Sequence, residues 1–71
     1  MTLQQIHYVL AIAETGSMNR AAESLFISQP ALTKALRELE AEIGITVFRR
    51  SSRGVIPTDE GSEFLANARQ L

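Results

Sequence analysis

Ser28-Gln29-Pro30-Ala31-Leu32-Thr33-Lys34-Ala35-Leu36-Arg37-Glu38-Leu39-Glu40 is the stretch on which the fold turns. Leu32, Ala35, Leu36, Leu39 and Ile43 recur at helical spacing and make the core-facing stripe of a 3.6-period helix. Gln29, Pro30, Thr33, Lys34 and Arg37 share another side, which is polar and cationic, with no carboxylate before Glu38. Ser28 can cap the helix by accepting a backbone N–H. Pro30 falls in the first turn, where its missing donor costs nothing. Gly44 stands where a helix commonly ends in a left-handed residue. The spacing predicts one helix over about 28–43, with one face for a core and one for a polyanion.

Toward the N-terminus two more helices are predicted. Thr2-Leu3-Gln4-Gln5 has the form of a capping box. Leu3, Ile6, Val9, Leu10 and Ala13 follow at helical spacing, and Gly16 closes the segment, so the first helix runs from about Leu3 to Thr15. Ser17 is a second N-cap. Met18, Ala21, Ala22 and Leu25 mark a short helix from Met18 to Leu25, whose small central residues allow close helix approach. Phe26-Ile27 then joins it to the Ser28 helix. Two helices, the second longer, joined by so short a turn, form a helix-turn-helix, although the usual turn glycine is missing. Ser17, Asn19 and Arg20 lie at the start of its first helix, where backbone N–H groups and a cation favour a phosphate.

After Gly44 the period changes. Ile45-Thr46-Val47-Phe48-Arg49 is β-branched and aromatic and predicts a strand. Arg50-Ser51-Ser52-Arg53-Gly54 predicts a polar turn, and Val55-Ile56 a second short strand before Pro57. The three together are a small hairpin, or wing. Thr58 opens a last helix whose first turn holds Asp59 and Glu60, as the helix dipole favours. Gly61 in that turn points to close backbone packing. Phe64, Leu65, Ala68 and Leu71 continue the apolar pattern to the end of the chain without a cap, which suggests a fragment cut within a longer helix.

The fold class expected is mainly α: a winged helix-turn-helix with a three-helix core, a β-hairpin wing and a C-terminal linker or dimerisation helix. Residues 1–57 form the winged domain, and 58–71 start the linker helix. Seventy-one residues hold one small domain with a modest core. The absence of cysteine excludes disulfides and thiolate zinc or redox sites. No apolar run reaches membrane-spanning length, and no signal peptide is evident. The single histidine, His7, has no partner to complete a metal site, and neither a catalytic constellation nor a phosphate loop can be assembled. No catalytic residue, metal or cofactor is therefore expected. The net charge of −1 argues mildly against nucleic acid, but the charges are segregated. Arg20, Lys34 and Arg37 meet only Glu23 between 17 and 37, and Arg49, Arg50 and Arg53 cluster without an acid. The local field, more than the sum, governs docking of a polyanion.

Five blocks then line up in order and spacing: Gly16 to Leu25, Ser28 to Thr33, Leu39-Glu40 with Gly44, Phe48-Arg49-Arg50, and Pro57-Thr58-Asp59-Glu60-Gly61. Over essentially its whole length the chain resembles the N-terminal winged helix-turn-helix of LysR-type transcriptional regulators. Met18, Thr33 and Pro57 depart from the residues common there, and Thr33 bears on operator preference. The resemblance implies a bacterial, cytoplasmic, nucleoid-associated transcription factor. It further implies sequence-specific binding of double-stranded DNA, with the recognition helix, about 28–43, in the major groove and the wing, 49–54, on flanking backbone or minor groove. It also implies a homodimer through the last helix and a tetramer at full length. A small-molecule inducer belongs to a C-terminal domain that these residues do not include.

The DNA-binding residues expected are Ser17, Asn19, Arg20, Ser28, Gln29, Pro30, Ala31, Thr33, Lys34, Arg37, Arg50, Ser51 and Arg53. Gln suits adenine, Arg or Lys suits guanine, and the Thr methyl suits thymine, so Gln29, Pro30, Thr33 and Arg37 lead for base contact. Lys34 suits base or phosphate. The plain alternative is a solvated helix face and a solubilising turn. Glu38, Glu40 and Glu42 are expected to be exposed or in helix pairs such as Lys34–Glu38, with Glu40 a possible anchor. The carboxylate-rich end should then point away from DNA, leaving about two and a half turns in the groove. Phe64, Leu65, Ala68 and Leu71 are the dimerisation candidates. The competing function is a helical protein–protein interaction module without DNA binding.

Overall fold

A computed structural model of the protein describes residues 1–70. Four helices and one hairpin follow in the order α1 (Leu3–Thr15), α2 (Met18–Leu25), α3 (Gln29–Ile43), β1 (Phe48–Ser51), β2 (Gly54–Pro57) and α4 (Asp59–Ala68). The expected helix starts are present with their caps. Thr2 and Gln5 close a reciprocal capping box, while Ser17, Ser28 and Thr58 accept from the N–H groups of Arg20, Ala31 and Gly61. Gly16 and Gly44 end α1 and α3 in the left-handed region. The turn between α2 and α3 needs the same conformation, and Phe26 supplies it at φ 58°. A non-glycine residue there costs about 1 kcal/mol, and the N–H groups of Phe26 and Ile27 are satisfied by carbonyls at the end of α2.

Val9, Ile12, Ala21, Ala22, Leu32, Leu36, Leu39, Val47, Phe48 and Leu65 form one core. The apolar stripe of α1 differs from expectation at two places. Leu3 is exposed, because it lies at the free end of the helix, whereas Ile12 is fully buried at its centre. In α3 Leu32, Leu36 and Leu39 are buried and Ile43 packs at the edge, whereas Ala35, expected in the stripe, is only half-buried and lies outside the core cluster.

The hairpin begins later than its sequence predicts. Ile45-Thr46-Val47 is not strand but a loop, and Arg50 and Ser51 belong to β1 rather than to the turn. Three backbone groups of the loop, and one at the start of β1, bond to side chains or backbone outside the hairpin. The Glu40 carboxylate accepts from the N–H groups of Val47 at 2.7 Å and Phe48 at 3.4 Å. The Val47 carbonyl accepts from the Thr58 N–H at 3.0 Å, and the Thr58 hydroxyl donates to the Thr46 carbonyl. The strands pair antiparallel from Phe48 opposite Pro57 to Ser51 opposite Gly54, leaving Ser52-Arg53 as the tip.

α4 is seated on this body. Gly61 is buried where a Cβ would overlap the Val47 carbonyl, which accounts for the glycine. Leu65 and Ala68 are buried too, so these two dimerisation candidates face the domain's own core. Phe64 is partly buried against the core, and Leu71 lies outside the described residues.

Candidate nucleic-acid interface

The polar face of α3 and the hairpin border one open groove. Gln29, Pro30, Thr33, Lys34, Arg37, Glu38 and Ala41 line it from the helix, and Arg50 lines it from β1. The helical period explains the set, since successive members lie three or four residues apart or side by side along one stripe. A second depression continues around the start of α3. It is lined by Ser17, the cap of α2, by Met18 and Asn19 of α2, by Gln29 of α3, and by Arg50, Gly54 and Val55 of the hairpin. A third, between α3 and the hairpin, holds Thr33, Arg37, Glu40, Arg49 and Arg50 among its walls. Arg50 borders all three, so the first strand of the wing joins the two helices into one surface.

Most expected site residues meet here, and some do not. Gln29, Pro30, Thr33, Lys34, Arg37 and Arg50 share the main groove, with Ser17 and Asn19 beside it. Ser28 caps α3, while Arg20 and Ala31 are exposed outside these depressions. Ser51 shapes the tip, its hydroxyl accepting from the Arg53 N–H at 3.2 Å, and Arg53 is exposed on that tip. The Gln29 side chain is held in place, since its Nε2 donates to the Thr33 hydroxyl at 2.8 Å. Its carbonyl oxygen and second N–H remain for a partner, as the adenine edge requires.

The three glutamates at the end of α3 part company. Glu40 turns to the hairpin root and Glu42 pairs with the N-terminal ammonium of Met1. Glu38 instead lines the groove beside Lys34 and Arg37. This corrects the expectation that the acidic end points away, because one carboxylate sits within the stripe. Glu38, Ala41, Met18, Gly54 and Val55 were not among the expected site residues. Continuing the period from Lys34 and Arg37 by four residues would have placed Glu38 and Ala41.

The electrostatics of the surface follow from what is not neutralised. The one ion pair among the described residues is Met1–Glu42, so Lys34, Arg37 and Arg50 have no carboxylate within 4.0 Å. The expected Lys34–Glu38 pair is not formed. No group of metal-ligating side chains occurs among the described residues, and none of their helices is long and apolar enough to cross a membrane. Chemically the surface offers cations without an ion-pair partner among the described residues, one oriented amide and small apolar contacts along a helix beside a hairpin.

Comparison with known proteins bears on this arrangement. A sequence model of bacterial regulatory helix-turn-helix proteins of the lysR family matches residues 3–62. The HTH-type transcriptional regulator TfdT of Cupriavidus pinatubonensis is 45% identical over all 71 residues, which span 31% of that regulator's length. A crystal structure of the CbnR DBD–DNA complex superposes with a TM-score of 0.92 at 41% identity, covering 99% of this chain and 80% of that one. The BenM DBD in complex with benA site 1 DNA gives 0.93 at 38% identity, covering 99% and 79%.

Proposed function

Since this chain belongs to the LysR family of bacterial regulatory helix-turn-helix proteins, we propose that it binds double-stranded DNA sequence-specifically to regulate transcription. The stripe of α3 from Gln29 onward enters the major groove, and the hairpin lies on the flanking backbone or minor groove. Gln29, Pro30, Thr33 and Arg37 meet base edges. Lys34 meets a base or a phosphate, and Arg50 and Arg53 meet phosphates or a narrow minor groove. Ser17, Asn19 and Arg20 add backbone contacts at the start of α2, and Ser28, Ala31 and Ser51 complete the border.

The observation that carries this reading is the groove itself. Three cations from two separate elements line one face and have no carboxylate partner among the described residues. Such a face gains from counterion release when it meets phosphates. The CbnR and BenM structures, which hold DNA on closely similar folds, support it.

Dimerisation through α4 belongs to the same proposal. Leu65 and Ala68 are committed to the domain's core, so Phe64 and Leu71 are the candidates left to pair subunits. The division at residue 57 then separates a DNA-contacting body from a helix that links copies. Within a longer regulator of the bacterial cytoplasm, tetramers and a small-molecule inducer would involve residues outside these. One observation favours the rival reading of a protein-interaction module: Phe26 is 94% exposed in the turn between α2 and α3, outside the groove.

Selection of bound sites from a random duplex library, followed by fluorescence-anisotropy titration of a selected duplex, decides between them. Enrichment of a defined sequence, with affinity falling steeply as salt rises from 50 to 200 mM (about a thousandfold if six phosphates are engaged), is expected. No enrichment and no salt-sensitive binding would leave the interaction module standing.

A further inference from the structure

Glu38 is the anomaly of the groove. It lies four residues after Lys34 and next to Arg37, on the surface proposed to face a polyanion. Its side chain is exposed, and its carboxylate takes part in no ion pair among the described residues. The order Lys then Glu is the weaker one for an i, i+4 helix pair, so a stabilising role within α3 is a poor account of it. Glu40 and Glu42, by contrast, have partners away from the groove.

An ionised carboxylate only accepts hydrogen bonds. Against phosphates it is repelled. In the major groove the groups that satisfy it are exocyclic amines, above all cytosine N4. Every Watson–Crick pair carries one such amine in the major groove, on its cytosine or its adenine. Glu38 therefore weakens any complex that rests on the backbone alone, and it is compensated only where that cytosine or adenine lies on the strand within its reach. It lies nine positions beyond Gln29, about 13.5 Å along the helix axis, so it reads a different part of the site. We infer that Glu38 is a specificity-determining residue, one that discriminates against duplexes that place guanine or thymine, rather than cytosine or adenine, on the strand it reaches. This rests on the proposed DNA-binding reading, and it selects sequence by penalty as well as by contact.

The test uses the protein and its Glu38→Gln variant, which keeps the shape and removes the charge. Both are titrated against a duplex selected by the wild type and a scrambled duplex of equal length and composition. Thermal melting checks that the exposed substitution leaves the fold intact. Affinity for the scrambled duplex is expected to rise about threefold to tenfold. Affinity for the selected duplex should rise less or fall, so the ratio between the two shrinks. Selection repeated with the variant should lose a cytosine or adenine preference at one position. Equal shifts on both duplexes, or no shift on either, would overturn this inference and leave the DNA-binding reading intact. Absence of salt-sensitive duplex binding by the wild type would overturn both.

Discussion

α3 and the hairpin each bring cations to the same groove, but they are positioned by different means. Lys34 and Arg37 ride on a helix whose opposite side buries Leu32, Leu36 and Leu39, so their placement follows from the helical period and one apolar stripe. Arg50 sits on a four-residue strand with a single strand partner. A hairpin of that size is marginal alone. Its position comes from contacts with residues remote in the chain. The Glu40 carboxylate holds the N–H groups at its root, the Val55 N–H donates to the Gly16 carbonyl at 3.0 Å, and Thr58 and Gly61 close on Thr46 and Val47. The lesson is that one half of the surface is fixed locally and the other half is fixed by tertiary contacts.

That difference is open to attack where the hairpin is anchored. The largest effect is expected at Gly61. In Gly61→Ala the new Cβ meets the Val47 carbonyl, carbon and Cα, all backbone, so α4 or the hairpin root must move. A loss of about 2–3 kcal/mol is expected, or at least about 10 °C in the midpoint of a thermal melt for a domain of this size. An unchanged midpoint would show that the root is not tightly held. A smaller and more selective effect is expected at Gly54. This residue has φ +124°, and an added Cβ would strike the Gly16 carbonyl. Gly54→Ala should tilt the hairpin off the α1–α2 junction, costing about 1–3 kcal/mol in stability. Duplex affinity should fall about tenfold as Arg50 leaves the groove. Chemical shifts in α3 should move little in that variant; large shifts throughout α3 would mean that the two halves are not separately fixed.

The same divide governs how much was legible in the sequence. Helix starts at Thr2, Ser17, Ser28 and Thr58 were readable because caps are local chemistry, and the stripes of α2 and α3 were readable because the helical period is local geometry. The start of β1 was not. Ile45, Thr46 and Val47 are good strand formers, yet Val47 bonds to Glu40 and Thr58 and Thr46 bonds to Thr58, and nothing in the spacing of the three announces that. Ile12 and Leu3 show a related limit, because apolar spacing marks a face but not which of its members meets a neighbour. Leu65 and Ala68 show it again, since an apolar residue on a terminal helix serves its own core and a partner's surface equally well until the packing is seen. In the groove, the residues from Gln29 to Arg37 followed from spacing. The charge of Glu38 argues against a place there, yet the period that places Lys34 in the groove places Glu38 as well.

The central claim is that α3 and the hairpin make one surface for DNA, joined at Arg50. The most direct test is the salt dependence of duplex affinity for the protein and for Arg50→Ala. If Arg50 meets a phosphate, the slope of log affinity against log salt should become shallower by about one, and affinity at low salt should drop about tenfold, on selected and scrambled duplexes alike. An unchanged slope and unchanged affinity would contradict the claim and reduce the interface to the helix alone.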